Sequence, residues 1–257
     1  MAACVTGSLI LGGSQDDADG GGHAQASASA PRSATASAPA SGGPGGGAAE
    51  KPTVPGWKVV VNPEWGTAFD VPPDWDVKPP DMMFGFENSK LDYNDPKNWG
   101  KVVIIMSATA VLQENWCLSD ADEDGRVDGT ALAVAGTKGA EGAKSTGDAA
   151  LGQVVEWVYG GYTQPDRKSI VPDRTAKPYT TKSGLRGSIA WARSRNTPEK
   201  DRCASDGKAV TFGFKDSAGD LVAWSLFGAT GVRGELPDST IMKILGTVRL
   251  HGKPKKY

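Results

Sequence analysis

The chain has 257 residues, 34 of them Gly and 17 Pro, and a formal net charge of −2 at pH 7. This small charge gives no whole-chain argument for binding nucleic acid. The two histidines are His23 and His251, so none lies between Trp57 and Leu250. Ser-His-Asp and Cys-His hydrolases are therefore excluded, because their proton transfer needs an imidazole. Zinc sites, which normally use His and Cys ligands, are disfavoured for the same reason.

Met1–Leu11 is mostly apolar but shorter than the ~20 residues that a membrane span needs. No Lys or Arg precedes it, as one would in a secretory signal. We interpret this segment as the outer half of a transmembrane helix, with the true start of the protein lying upstream of Met1. The alternatives are the cleavage box of a bacterial lipoprotein ending at Cys4, and a plain apolar start on a cytosolic protein.

Thirty of the 39 residues of Gly12–Glu50 are Gly, Ala, Ser or Pro, and none is Val, Ile, Leu, Met or aromatic. Such a composition cannot bury enough apolar area to offset the entropy of ordering, and it predicts a disordered tether. A flexible coil of this length spans roughly 35 Å. We expect it to connect residues 51–257, one folded domain on the extracytoplasmic side, to the cell membrane.

The folded part begins with tryptophan and alternates between apolar runs and turns. A capping box at Ser145–Asp148 predicts a helix that Gly160-Gly161 ends, and a second helix follows Pro237. Because strands outnumber helices, we predict an α+β fold with helices packed on an antiparallel sheet. The predicted strands are Trp57–Val61, Thr67–Val71, Met82–Phe86, Lys101–Thr109, Ala131–Ala135, Ser169–Val171, Gly187–Ser194, Lys208–Lys215 and Leu221–Phe227.

The last two strands form a β-hairpin around the turn residues 216–220. In Lys208–Lys215 the apolar side chains alternate with polar or small ones, which predicts a half-buried strand. Leu221–Phe227 is apolar on both faces and needs cover on both sides.

Two motifs resemble the Mog1/PsbP-like superfamily, which includes LpqN-type lipoproteins and other actinobacterial envelope proteins. They are Phe69-Asp-Val-Pro-Pro-Asp-Trp75 and the closing Pro237–Arg249 stretch. The resemblance covers about Trp57 to Leu250 and implies the fold of that superfamily. Its motifs are structural, so it implies no activity and no site.

The domain contains two cysteines, Cys117 and Cys203, and an exported domain would most simply join them in one disulfide. The alternative is two free buried thiols in a cytosolic protein. Cys4 lies in the apolar N-terminal segment and would stay unpaired at the membrane.

The Asp120–Asp128 stretch resembles the start of an EF-hand calcium loop. Asp120, Asp122, Asp124 and Asp128 occupy ligand positions, and Gly125 occupies the turn position. Ala131 stands where a bidentate Glu is required, so an acidic solvated turn is the alternative. We predict no other cofactor.

Three further patterns have plain structural explanations. Gly136–Ser145 resembles a phosphate loop, but its spacing is wrong, and we interpret it as a flexible connection. We assign four tryptophans to the core (Trp75, Trp157, Trp191 and Trp224), while exposed ones could stack on sugars. Carboxylates could hydrolyse glycans in pairs, but no spacing selects a pair. These carboxylates are Glu64, Asp70, Glu87, Asp92, Asp95, Glu114 and Glu156.

The sequence therefore predicts a non-catalytic, membrane-tethered extracytoplasmic domain that binds an envelope polymer or a partner protein. A carboxylate-based envelope enzyme and a calcium-dependent interaction module are the alternatives. We expect any site on the loops Leu118–Thr130 or Arg167–Arg186, the second of which is locally basic.

Overall fold

The fold is built around the hairpin of β12 (Asp206–Lys215) and β13 (Leu221–Thr230). The computed structural model describes residues 50–120, 125, 127–198 and 200–255. Within these residues every strand pairing is antiparallel, and helices pack on the largest sheet. The predicted α+β architecture is confirmed.

The hairpin lies in the middle of the large sheet. In spatial order the strands of this sheet are β10 (Lys177–Thr180), β11 (Arg186–Ser194), β12, β13, β8 (Ala133–Gly139), β5 (Val102–Leu112) and β3 (Asp76–Val77). Two further strands join its margins, as β4 (Met83–Glu87) pairs with β5 and β9 (Ile170–Pro172) pairs with β11. The predicted strands are mostly correct in place, and the predictions for the five longest, β5, β8, β11, β12 and β13, are too short.

One face of this sheet is covered by α1 (Thr146–Val158), which begins at the predicted cap, with Ser145 Oγ accepting from the Asp148 amide. The other face is covered by a small sheet and by α2 (Asp238–Leu245). The small sheet contains β1 (Lys58–Asn62), β2 (Thr67–Val71) and β14 (Arg249–Leu250).

The half-buried prediction for the first hairpin strand is wrong. Both faces of β12 are buried, since Phe212 and Phe214 pack in the core beside α2 while the opposite face lies under α1. A Cβ on Gly213 would come within 2.3 Å of the Thr146 carbonyl oxygen, so the missing side chain allows the helix to approach. The alternation reflects large and small side chains rather than core and solvent.

Two glycine-rich segments also differ from their predictions. Gly136–Gly139 belongs to the buried strand β8, not to a flexible connection, and a Cβ on Gly136 would lie 2.9 Å from the Met106 sulfur. Gly160-Gly161 does not end the helix, because α1 continues into a π-helical turn at Tyr159–Thr163.

A buried ion pair fastens the start of the described chain to the small sheet. Asp70 has no exposed surface and pairs with Arg249 at 2.9 Å, while its other oxygen accepts from the Thr53 amide and hydroxyl. Glu50 also pairs with Arg249, at 2.7 Å, and contacts His251. Glu50, the last residue of the predicted tether, is thus part of the fold, together with the residues that follow it. No described helix is long and apolar enough to cross a membrane, and Met1–Leu11 lies outside the described residues.

Candidate functional site: a groove beside the disulfide

Between β5 and β8 in the chain lies a separate two-stranded ribbon. It consists of β6 (Cys117–Ser119) and β7 (Asp128–Thr130). A disulfide joins Cys117 to Cys203, with a Cα–Cα distance of 5.6 Å and a sequence separation of 86 residues. The predicted pairing is confirmed. Closing a loop of this length contributes about 4–5 kcal/mol in the chain-entropy model.

A groove runs between this ribbon and β4, and we call it the ribbon groove. It has two chambers of about 80 Å³ and 190 Å³, which share Phe84, Gly129 and Ala131. The smaller chamber also touches Cys203 of the disulfide, and the larger one extends to Met83 and Glu114.

Aromatic rings form the floor of the smaller chamber. The Phe227 ring lies 5.1 Å from that of Phe86 and stacks on Trp157 at 5.2 Å, measured between centroids. The π-helical turn forms a wall against this floor, and a Cβ on Gly160 would lie 2.7 Å from the Phe86 ring. Two glycines are needed here because the backbone itself contacts the ring. π-helical turns often occur at functional sites.

Gln164 fixes the distance between this wall and the end of β4. Its Oε1 accepts from the Ser89 amide at 2.9 Å, and its Nε2 donates to the carbonyls of Glu87 at 2.9 Å and Gly160 at 3.0 Å. Tyr162 of the same turn also lines the chamber, and burial raises the pKa of its phenol. The groove is therefore held from several sides in a fixed shape.

The smaller chamber contains an unused polar group. The hydroxyl oxygen of Ser89 is buried, and no described residue is its hydrogen-bond partner. Buried hydroxyls normally have a partner, because leaving one unpaired costs about 1–3 kcal/mol. A bound group that supplies a hydrogen bond to Ser89 would remove this penalty.

The rim of the groove carries charge. Lys78 bridges Asp76 at 2.7 Å and Glu114 at 2.8 Å; burial lowers the pKa of Lys78, but these two hydrogen bonds outweigh it and raise the pKa overall. Exposed large apolar side chains lie nearby at Met83 on β4, at Leu118 on the ribbon and at Val127 just before β7.

The calcium hypothesis stays a prediction. Asp120 accepts from the Gly125 amide at 3.2 Å, as in a simple turn, and Asp128 is exposed in β7. Asp122 and Asp124 lie outside the described residues. The described part of the chain contains no group of three His, Cys, Asp or Glu residues that could hold a metal.

The seven candidate carboxylates are distributed over the molecule. Glu114 lines the ribbon groove but is paired with Lys78, and Asp70 is engaged with Arg249. Glu156 pairs with Arg167 at 2.7 Å, and burial raises the pKa of Glu87 at the end of β4. The others make local contacts: Glu64 accepts from Ser107, and Asp92 and Asp95 accept within their own loop. The enzyme alternative stays a prediction.

The tryptophans divide largely as predicted. Trp75, Trp157 and Trp224 are fully buried, whereas Trp191 is partly buried. Trp99 is 68% exposed, with its indole nitrogen donating to the Tyr93 carbonyl at 2.9 Å.

Sequence reasoning located one edge of the groove and missed its floor. Gly129 and Thr130 belong to the predicted loop Leu118–Thr130, but no residue of Arg167–Arg186 lines the groove, although that whole range is described. The floor joins residues from distant parts of the chain, such as Phe86 and Phe227. The pair Gly160-Gly161 could have indicated close backbone contact rather than a helix end.

A family model described as a domain of unknown function, DUF8017, matches residues 50–253. The chain belongs to this family. The match spans every described strand and helix of this DUF8017 domain and the whole ribbon groove.

Among solved structures, the domain is similar to the Ran-binding protein Mog1p of Saccharomyces cerevisiae. The sequence identity is 10% and the TM-score 0.38, with 76% of this chain and 95% of that chain covered. A likeness at this level carries no argument about function. No curated protein matches the chain.

Proposed function

We propose that this chain is a non-catalytic binding domain that recognises a partner protein through the ribbon groove. The observation that carries the proposal is a preformed, aromatic-floored chamber with an unpaired Ser89 hydroxyl. Its volume of about 80 Å³ is below the roughly 300–1,000 Å³ typical of small-molecule sites. It suits one inserted side chain, the usual form of an anchor at a protein interface.

The charge around the ribbon indicates the chemistry of the partner. Between Asp120 and Asp128 the sequence has five acidic residues and one basic residue, Arg126. A partner segment with positive charge around an apolar anchor would complement this stretch. Such complementarity accelerates association and selects the partner, and it weakens as salt is added.

The proposal includes a location on the extracytoplasmic side of a bacterial cell membrane. Disulfides are rare in the cytosol and common in exported proteins, which supports export. The apolar Met1–Leu11 and the Gly/Ala-rich tether support attachment by the N-terminal region. Digestion of intact cells with an added protease tests this location: the domain should be accessible, and protection until lysis would contradict it.

The binding proposal is tested by filling the groove. Ala131→Trp places an indole at a residue that lines both chambers, and Ala218→Trp makes the same change at an exposed hairpin tip. The full chain is immobilised and exposed to an envelope extract. We expect it to capture a basic protein, and we expect this capture to be lost with Ala131→Trp and retained with Ala218→Trp. Capture should also fall between 50 and 300 mM salt, by about tenfold or more. Equal capture by both variants would contradict the proposal.

A further inference from the structure

A second opening lies in the large sheet itself, where β5 separates from β8. The two strands pair from Ser107↔Thr137 to Leu112↔Ala133, with a register shift between Ser107 and Ala110. Within this bulge Ala108 has φ of 47°, a conformation that bends the strand. Before the bulge β5 follows β4 instead, with pairs from Glu87↔Val102 to Met83↔Ser107.

The side of Val102–Met106 that faces away from β4 consequently has no strand partner among the described residues. An open groove of about 810 Å³ lies along it, bounded on the far side by α1. The helix presents small residues there, Ala149 and Gly152, so the space beside the strand stays free. Unpaired strand edges are ready templates for another strand.

On β8, side chains supply a hydrogen bond that a neighbouring strand would otherwise supply. The Gly139 carbonyl accepts from Lys138 Nζ at 2.7 Å and from Gln153 Nε2 at 3.0 Å rather than from β5. Lys138 is half-buried in the groove, and no described carboxylate lies within 4.0 Å of its ammonium group. An ammonium has three donors, so this group can bind a further acceptor.

We propose that the open edge of β5 receives an extended segment of a partner protein as an added strand, with a carboxylate of that segment paired to Lys138. An edge of five residues offers main-chain hydrogen bonds over about 17 Å, which only an extended polypeptide can match. Apolar side chains on alternate residues of the segment would pack against Ile104 and α1, which lie on the same face of the sheet. This site is separate from the ribbon groove and does not depend on the function proposed for it.

The probe is a synthetic peptide chosen from a random-sequence display library by selection on the full chain. We expect selected peptides to alternate apolar residues around one Asp or Glu. On binding, hydrogen exchange should slow at alternate amides of Val102–Met106. N-methylation of the peptide on its edge-facing residues should weaken binding by about 100-fold or more, because it removes main-chain donors. N-methylation of the alternate peptide residues, whose amides point away from β5, should have little effect on binding.

Two variants separate this site from the ribbon groove. Lys138→Met should weaken peptide binding by about tenfold, which corresponds to the loss of one charge-assisted hydrogen bond. Ala131→Trp should leave it unchanged. The proposal is overturned if no selected peptide slows exchange in β5, or if N-methylation has no effect. It is also wrong if the same amides become protected with rising protein concentration alone, since a second copy would then be the occupant.

Discussion

Lys208 and Lys138 lie in strands of the same sheet, and their surroundings are opposite. Lys208 is 1% exposed, and its ammonium lies 2.7 Å from Glu235 and 2.9 Å from Asp238. Lys138 is partly exposed to solvent, and its ammonium donates to the neighbouring Gly139 carbonyl. Burial lowers the pKa of Lys138, against the opposing effect of Glu141 and Glu64.

The difference shows that burial by itself does not mark a binding site. Lys208 is the more deeply buried lysine, but its partners belong to the fold and join the start of α2 and the loop before it to β12. Lys138 is less buried but lacks a paired carboxylate at an open strand edge. A partly desolvated charge that no carboxylate contacts directly, with Glu141 and Glu64 acting only from further away, is the feature that a ligand can satisfy.

Removing the Lys208 ammonium should destabilise the protein far more than removing the Lys138 ammonium. We expect Lys208→Met to lower the free energy of unfolding by about 2–3 kcal/mol, because it removes the buried cation from Glu235 and Asp238, and of these two only Asp238 keeps another, Arg193. This is below the usual cost for a buried pair, since Glu235 and Asp238 are 35% and 49% exposed. The matched change Lys138→Met should stay within about 0.5 kcal/mol. Urea unfolding measures both, and equal losses would end the distinction.

The paired lysine should also make stability sensitive to acid. Burial alone would raise the pKa of Glu235 and Asp238, but hydrogen bonds from Lys208 outweigh it and lower both. Their contribution is therefore complete above the ordinary values of 4.5 and 3.8 and is lost as pH falls through the lower folded values. Unfolding followed from pH 6 to pH 2.5 should show this decline, with a shallower decline for Lys208→Met. Parallel curves would show that the pair is not its source.

A third variant compares two cations on one carboxylate. Arg193 contacts Asp238 at 2.5 Å, but both side chains are much more exposed than that of Lys208, at 36% and 49% against 2%. Arg193→Met should therefore cost only about 0.2–1 kcal/mol, well below the loss for Lys208→Met. A cost equal to that of Lys208→Met would mean that burial does not decide the strength of these pairs. Thermal unfolding at low and high salt measures the difference.

The smallest effect concerns the titration of Lys138 itself. Its amine should titrate below the ordinary pKa of 10.5, because burial disfavours the charged form. Glu141→Gln should lower the pKa further by removing a nearby negative charge, while Glu114→Gln, in the ribbon groove, should not. NMR of the Lys138 Nζ as a function of pH measures this pKa in the unchanged protein and in the two variants. A pKa at or above 10.5 would contradict the desolvated position assigned to Lys138.

The sequence alone determined most of the elements and the disulfide. Side-chain alternation located most of the longer strands, and the Ser145 cap located the start of α1, because these patterns depend on neighbouring residues. Two cysteines in the domain were enough to predict the disulfide. The sequence has no histidine between Trp57 and Leu250, but the structure makes His251 part of the fold, in contact with Glu50.

Only the tertiary structure decided where grooves form. The ribbon groove needs Phe86 beside Phe227, and the β5 edge needs a bulge at Ala108 that directs one half of an apolar strand away from β8. Both depend on contacts between residues far apart in the chain, and local propensity contains no information about such pairings. For the same reason Lys208 and Lys138 look alike in the sequence, and only the packed sheet shows that one is paired and the other is open.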